Sequence, residues 1–190
     1  MPSGKKIYIL LTRSSTFLSR AIYFMTFDRY THVSISFDDD LGTMYSSARK
    51  NGVTAFPAGP CHEGIDRGYY GRHHGMPCIL YELEVSEETY ERAKQYTENI
   101  IRHSYKYHYN LLGVVLCRMG IIYHRKHHYF CSEMISEILM ESGAWTPDKD
   151  TTLIMPAELQ MIPGLRVIHE GTIGELLKVV AEQRNPELSY

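Results

Sequence analysis

Several features that would assign this sequence to a common functional class are missing from it. Its four cysteines form no CxxC pair, and no apolar run is long enough to span a bilayer. The scattered glycines Gly52, Gly59 and Gly64 follow no strand-to-helix pattern, so there is no phosphate-binding loop. The formal net charge of -2 at pH 7 gives no general attraction to nucleic acid. These absences weigh against a zinc ribbon, an integral membrane protein, a P-loop enzyme and a nucleic-acid-binding protein.

The amino terminus also lacks the pattern of a targeting segment. The apolar run from Ile7 to Leu11 meets Arg13 too soon to form the core of a signal peptide. We therefore expect a cytoplasmic protein whose four thiols are reduced. These thiols belong to Cys61, Cys78, Cys117 and Cys131.

The composition is that of an ordinary globular protein. With 190 residues, 44% hydrophobic and 22% charged, the chain is long enough for one well-buried core. We expect a single domain over 1–190, with a long Gly-, Pro- and His-rich loop at 51–77 and a C-terminal extension at 144–190. Strands are predicted at 6–12, 31–37, 43–49, 77–85 and 166–169, and helices at 14–27, 86–101, 110–118, 132–142 and 172–182. The expected fold class is α+β, with an antiparallel sheet packed against helices.

One cysteine occupies a position that favours chemistry. Apolar residues at helical spacing predict a helix from Ser132 that Gly143 ends, which places Cys131 at its entrance. The free N–H groups and the positive end of the helix dipole favour a thiolate there. Glu133 is expected to stabilise the first turn of this helix. The alternative is that Cys131 is simply a small buried core residue.

A cysteine nucleophile needs an imidazole as its base and a third group to orient that base. His32 is the histidine that stands out, because it lies on the polar face of a strand whose other face is apolar. If the following turn is Asp38–Leu41, Phe37 pairs with Gly42 and His32 pairs with Ser47, which would make Ser47 the orienting group. A one-residue change in the turn puts Ser46 or Ala48 there instead.

The other histidine clusters and a group of tyrosines are weaker candidates for binding sites. His124, His127 and His128, and the pair at 73–74, do not have the spacing of a zinc site, so no metal is expected, and a cysteine nucleophile requires no organic cofactor. The tyrosines at 105, 107 and 109 could stack on a ligand, but such tyrosines more often cover the edge of a core.

Four stretches resemble one family, the permuted papain-like cysteine amidases (YiiX/YaeF-like), a circularly permuted branch of the NlpC-type superfamily. They are IYILLTR at 7–13, FLSRAI at 17–22, YTHVSI at 30–35 and YFCSE at 129–133. In that branch the histidine precedes the cysteine, as His32 precedes Cys131 here. The resemblance implies that Cys131 is the nucleophile and His32 the base. A polar residue on the strand after the histidine, often a carboxylate or a histidine, orients the base in the family, whereas this chain offers Ser46 or Ser47.

The function predicted from these observations is that of a cysteine hydrolase, of the thiol-protease type, acting on peptide, isopeptide or cell-wall-derived amide bonds through an acyl-enzyme. Two alternatives stay open. One is a thiol enzyme acting on lipid esters, as in the similar lecithin:retinol acyltransferase-like branch. The other is a non-catalytic binding module with the same fold. The expected partner is a peptide-like or other amide substrate, with no nucleic acid and no integral membrane segment.

Overall fold

The computed structural model describes residues 4–13, 29–50 and 57–184. The helix predicted at 14–27 lies outside these residues. Positions 51–56 of the predicted long loop also lie outside the described residues.

A six-stranded sheet organises the described residues. Every neighbouring pair of its strands is antiparallel. In spatial order the strands are β4 (Ala58–Glu63), β3 (Met44–Arg49), β2 (His32–Ser36), β1 (Lys5–Thr12), β5 (Pro77–Val85) and β8 (Leu165–Thr172). Two short strands, β6 (His108–Tyr109) and β7 (His128–Tyr129), pair in parallel beside it. With its helices, the protein is a mixed α+β structure with a mostly antiparallel sheet.

Four α-helices are described: α1 (Glu87–Arg102), α2 (Leu111–Arg118), α3 (Cys131–Ser142) and α4 (Ile173–Arg184). The sequence signals for two of them are confirmed in detail. Ser86 caps α1 by accepting a hydrogen bond from the Thr89 N–H at 3.1 Å, as the acidic start at 87–88 predicted. Gly143 ends α3 in the left-handed conformation with φ 79°, which costs glycine little.

One face of the sheet, which we call the helix face, packs against α1 and α3. Side chains of β1, β2 and β5 join the helix side chains there in one apolar cluster. The α3 members include Met134, Ile135, Ile138 and Leu139, all fully buried. Their helical spacing is the apolar stripe on which the helix prediction was based.

The opposite face, which we call the inner polar face, carries the alternate residues of the same strands. Tyr8 and Leu10 lie there in a second apolar cluster that α4 and the Tyr70–Arg72 turn cover. Ser34, Ser36 and Ser46 point to this side and are also buried. The predicted polar face of β2 is therefore not exposed to solvent, because the chain after β4 and the last helix cover it.

The loop predicted over 51–77 is wrong for Ala58–Glu63, which forms the edge strand β4. This strand has the sequence AGPCHE, with little β-branched or aromatic character, so local propensity gives no strand signal. Pairing with β3 over six residues imposes the extended conformation. Pro60 is tolerated because β4 lies at an edge of the sheet.

The predicted hairpin of β2 and β3 exists, but its register differs from the predicted one. Ser36 pairs with Met44 and Ile35 with Tyr45, whereas a Phe37–Gly42 pair was expected. The connection is longer than the predicted turn because Leu41 takes a left-handed conformation with φ 51° and is fully buried in the second cluster. Burial of this leucine thus fixes the loop and shifts the partner strand by one residue.

The predicted extension at 144–190 contributes to the main sheet over its described part. β8 pairs with β5, and Ile173 and Leu176 of α4 are fully buried against the inner polar face. In the described residues, no helix has the length and apolar character needed to cross a membrane.

Candidate active site

Cys131 is the first residue of α3, as its sequence predicts. The helix enters from Phe130 in an extended conformation, and the Glu133 carboxylate accepts a hydrogen bond from the Phe130 N–H at 3.2 Å. Glu133 therefore stabilises the first turn, which was its predicted role. Burial, partly offset by the hydrogen bonds from Phe130 and Asn110, raises the pKa of Glu133 to about 7. Cys131 itself is 4% exposed.

His32 is the first residue of β2, and its ring contacts both Cys131 and a carboxylate. The Nε2 atom lies 3.2 Å from Glu63 Oε2, and the ring also makes a hydrogen bond with the Cys131 side chain. The His32 side chain is 18% exposed, so this pair is more open to solvent than the cysteine. The two sequence-predicted residues are thus brought together.

Glu63 is held in place by hydroxyl groups from β2 and β3, the next two strands of the sheet. The Oγ atoms of Ser34 and Ser46 each donate to Glu63 Oε2 at 2.6 Å. Ser34 Oγ in turn lies 3.0 Å from the hydroxyl of Tyr70, which is 1% exposed. The carboxylate that contacts His32 is therefore fixed by a connected network of hydrogen bonds on the inner polar face.

The charges on His32 and Glu63 stabilise each other. Burial alone lowers the pKa of His32, but the Glu63 charge and the hydrogen bonds to Cys131 and Glu63 outweigh it and raise the pKa to about 10. Burial raises the pKa of Glu63, yet the His32 charge and three hydrogen bonds hold it below its usual value. At neutral pH the two groups are therefore an imidazolium and a carboxylate.

Ser47, predicted as the orienting group, contacts a different part of the site. Its hydroxyl donates to the Tyr129 carbonyl at 2.7 Å, which ties β3 to the segment that leads into Cys131. Ser47 and Ser46 are neighbours on one strand, so their side chains point to opposite faces of the sheet. Ser46, the predicted alternative, contacts Glu63 and so supports His32 indirectly. The one-residue register shift explains this exchange of partners.

Glu63 is the residue that the sequence reasoning missed. It lies at the end of a strand that was predicted to be loop, two strands away from His32 in the sheet. A signal was present: the family resemblance calls for a carboxylate or histidine beside the base, and the 62–63 pair supplies both residue types. Without β4 in the sheet, nothing in the sequence directs that carboxylate toward His32.

Two of the other candidate histidines have hydrogen-bond partners outside the site. His124 Nε2 lies 2.9 Å from Asp150 Oδ2, and His73 Nδ1 lies 2.7 Å from the Tyr69 carbonyl oxygen. In the part of the chain that the structure describes, no group of three or more His, Cys, Asp or Glu residues is arranged to hold a metal ion.

A cavity of about 530 Å³ lies beside the tyrosine segment. Tyr109 lines this cavity and also lies near the candidate site. Burial raises the pKa of Tyr109, and the nearby charges of Cys131 and Glu133 raise it further. The lining residues are Lys50, Pro57, Ala58, Tyr105, Tyr107, His108, Tyr109 and His128. The two that come from the predicted 51–77 range are Pro57 and Ala58, so this range contributes one wall.

Comparison with known proteins gives structural similarity only. No protein-family model matches the chain, and no curated protein sequence matches it either. Among solved structures, the crystal structure of the metalloprotein yiiX from Escherichia coli superposes with a TM-score of 0.56 and 11% sequence identity. The alignment covers 90% of this chain and 98% of that one. At this identity the similarity shows a shared fold, and it agrees with the YiiX-like resemblance of the sequence motifs.

Proposed function

We propose that this protein is a cysteine hydrolase that cleaves amide bonds through a thiol acyl-enzyme, with Cys131 as nucleophile, His32 as base and Glu63 as the group that orients the base. The observation that carries the proposal is the single imidazole of His32 placed between the Cys131 side chain and the Glu63 carboxylate. This is the order of groups that an activated cysteine nucleophile requires.

The proposed reaction has two halves. The proton of the Cys131 thiol resides on His32, and the sulfur attacks the carbonyl carbon to form a C–S bond. His32 then gives that proton to the leaving nitrogen as the C–N bond breaks. Water, losing a proton to His32, attacks the thioester, so that the acid leaves and the thiol is restored. The backbone N–H of Cys131 belongs to the first turn of α3, whose N–H groups have no intrahelical acceptor, and is proposed to bind the oxyanion.

The permuted papain-like architecture is part of this proposal. Its support is the chain order, in which His32 and Glu63 on strands precede Cys131 on a helix that packs on an antiparallel sheet. The structural similarity to yiiX adds support for the fold. We also propose that the whole chain acts as one domain, since β8 and α4 complete the sheet and its covering layer.

Thiol labelling provides the test, because the other cysteines are internal controls. Cys61 is more exposed than Cys131, yet burial and then the Glu63 charge raise its pKa to about 12. Burial also raises the pKa of Cys78 to about 12 and of Cys117 to about 11. If His32 activates the nucleophile, iodoacetamide near neutral pH should label Cys131 first, as read by mass spectrometry of the peptides.

The comparison is between wild type, His32→Ala and the control His62→Ala. His62 is an exposed imidazole next to Glu63 in sequence, and its ring lies 5.1 Å from the Tyr45 ring, tilted by 51°. We expect fast labelling of Cys131 in wild type and in His62→Ala, and slow labelling in His32→Ala. Equal, slow labelling in all three proteins would refute the hydrolase and leave a binding module with this fold.

A second candidate, acyl transfer from lipid esters, is favoured by one observation. A group of exposed aliphatic side chains at 111–122 lies close in sequence to the site, where a lipid substrate could approach. Activity-based probes separate the two candidates: an amide-derived electrophile and an acyl-lipid electrophile are compared for covalent attachment to Cys131, with Cys131→Ala as the blank. Faster attachment of the amide probe supports the amidase, and the reverse result replaces it with the lipid enzyme.

A further inference from the structure

Exposed apolar side chains are concentrated in one segment of the described chain. The described residues, 4–13, 29–50 and 57–184, include ten large hydrophobic residues with exposed side chains. Seven of these ten lie between positions 105 and 122. The seven are Tyr105 (70% exposed), Leu111 (42%), Leu112 (48%), Val115 (41%), Met119 (65%), Ile121 (44%) and Ile122 (56%). A patch of this kind marks an interaction site more often than scattered single residues do.

Helix α2 has the reverse of the usual distribution of side chains. Its buried positions are Gly113 and Cys117, one turn apart, and Cys117 Sγ lies 3.4 Å from Met155 Sδ. Its exposed positions include Leu112 and Val115, where a surface helix of a water-soluble fold normally carries charged residues. The aliphatic face of α2 is therefore turned outward instead of serving the core.

The same part of the chain is free of negative charge. From Asn99 to Ser132 there is no Asp or Glu, whereas the whole chain has a net charge of -2. The stretch contains five basic residues, all of them exposed: Arg102, Lys106, Arg118, Arg125 and Lys126. The overall charge thus hides a strongly asymmetric distribution, with cations on both sides of the aliphatic residues.

We propose that residues 111–126 form a docking surface for an anionic phospholipid bilayer, with the aliphatic side chains in the acyl boundary and the flanking cations on the headgroups. Charge complementarity selects this partner: aliphatic residues beside Lys and Arg, in a segment that contains no acidic residue, are typical of interfacial membrane-binding helices. The acidic residue that contacts the segment, Asp150, is paired with His124. Protein interfaces instead rely on aromatic and Arg anchors at a charge-depleted centre. The proposal concerns binding and does not require that Cys131 be catalytic.

The docking surface is connected to the candidate active site. Asn110, the residue before α2, caps that helix by accepting from the Gly113 N–H at 3.0 Å. The same side chain donates to Glu133 Oε2 at 3.3 Å, in the first turn of the cysteine helix. A bilayer bound at α2 would therefore be held at a fixed distance from Cys131.

Vesicle flotation with the full chain tests the proposal. Vesicles of phosphatidylcholine alone are compared with vesicles of phosphatidylcholine and phosphatidylserine, at low and at physiological salt. We expect wild type to float with the anionic vesicles and to bind the neutral ones much more weakly. Arg125→Gln with Lys126→Gln should weaken partitioning roughly thirtyfold, since each basic residue near an anionic surface contributes about one factor of five.

Leu112→Ser with Val115→Ser should weaken partitioning by at least about tenfold through the lost apolar contact. The matched control is Met161→Ser with Val167→Ser, which removes two exposed apolar residues (81% and 53%) elsewhere on the molecule and should bind like wild type. Circular dichroism confirms that each variant is folded. Absence of wild-type binding to anionic vesicles, or binding that the serine substitutions in α2 leave unchanged, would overturn the proposal. The second result would mean that the vesicles are bound through nonspecific attraction of the basic residues to negative charge.

Discussion

The two faces of the six-stranded sheet are both buried, but different chemistry holds each covering layer in place. On the helix face, aliphatic side chains of the strands pack against Met134, Ile135 and Ile138 of α3. On the inner polar face, the β2–β4 end holds an ion pair and three hydroxyl groups, while apolar packing is confined to the rest. Burying charge costs free energy that apolar packing does not. The difference indicates that the helix face stabilises the fold, whereas the polar network keeps His32 in position.

The largest expected effect is on stability and comes from the helix face. Ile138 is fully buried in α3, so Ile138→Ala should lower the free energy of unfolding by about 2–5 kcal/mol through lost burial and a cavity. Urea denaturation measures it. Met140→Ala, at a position 38% exposed on the same helix, should change stability by less than about 0.5 kcal/mol. In the folded protein, Ile138→Ala should leave the rate of Cys131 labelling unchanged. Slower labelling of Cys131 in this variant would show that the helix face also determines the reactivity of the site.

A smaller effect on stability should come from the ion pair, through pH. The pKa of His32 is raised from 6.5 to about 10, so the folded state binds its proton more tightly and the stabilisation is complete below pH 6.5 and lost as pH rises toward 10. The pKa of Glu63 is lowered from 4.5, so its contribution is lost as pH falls below that value. The full shift would be equivalent to about 5 kcal/mol, but part of it comes from Cys131 and the pair is partly exposed to solvent, so the loss between pH 6.5 and 10 without Cys131 should be on the order of 2 kcal/mol.

This pH dependence is measured by urea denaturation in a Cys131→Ala background, so that titration of the thiol does not contribute. His32→Gln in the same background is the control and should show a flatter curve over this range. Tyrosines and lysines titrate equally in both proteins. Parallel curves for the two would mean that His32 and Glu63 do not form an ion pair.

An effect on reactivity should come from the carboxylate itself. Glu63→Gln keeps the shape of the side chain and removes its charge, so we expect Cys131 labelling near neutral pH to slow by about tenfold, the equivalent of one pKa unit of lost charge stabilisation on His32. The matched control is Glu137→Gln. Glu137 on α3 accepts hydrogen bonds from the hydroxyls of Tyr96 and Tyr129 but does not contact His32. Equal labelling of both variants would remove Glu63 from the proposed site.

The smallest expected effect separates two neighbouring serines. Ser46→Ala removes one donor to Glu63, which should raise the pKa of Glu63 measurably by NMR titration while leaving the ion pair in place. Ser47→Ala removes a hydrogen bond to the Tyr129 carbonyl and should cost about 1 kcal/mol of stability without moving the Glu63 titration. The opposite assignment of effects would support the original choice of Ser47 as the orienting group.

The elements that the sequence predicted well are those with a local physical signal. The apolar stripe of α3, the cap at Ser86 and the alternation in β2 each depend on residues within one element. β4 has no such signal, since its AGPCHE segment is extended only because β3 pairs with it. The exposed aliphatic face of α2 was also not foreseen, because periodicity shows that a helix is amphipathic but not which side faces the core.

For this protein, the sequence by itself determined where Cys131 and His32 lie within their elements: one at the entrance of a helix, the other on an alternating strand. Only the tertiary structure decided that Glu63, and not Ser47, contacts the imidazole. The reason is that Leu41 is buried in the connecting loop, which sets the β2–β3 register, and a one-residue change of register exchanges the side chains on the two faces. The choice of register depends on how Leu41 packs in the second apolar cluster, which no local stretch of residues encodes.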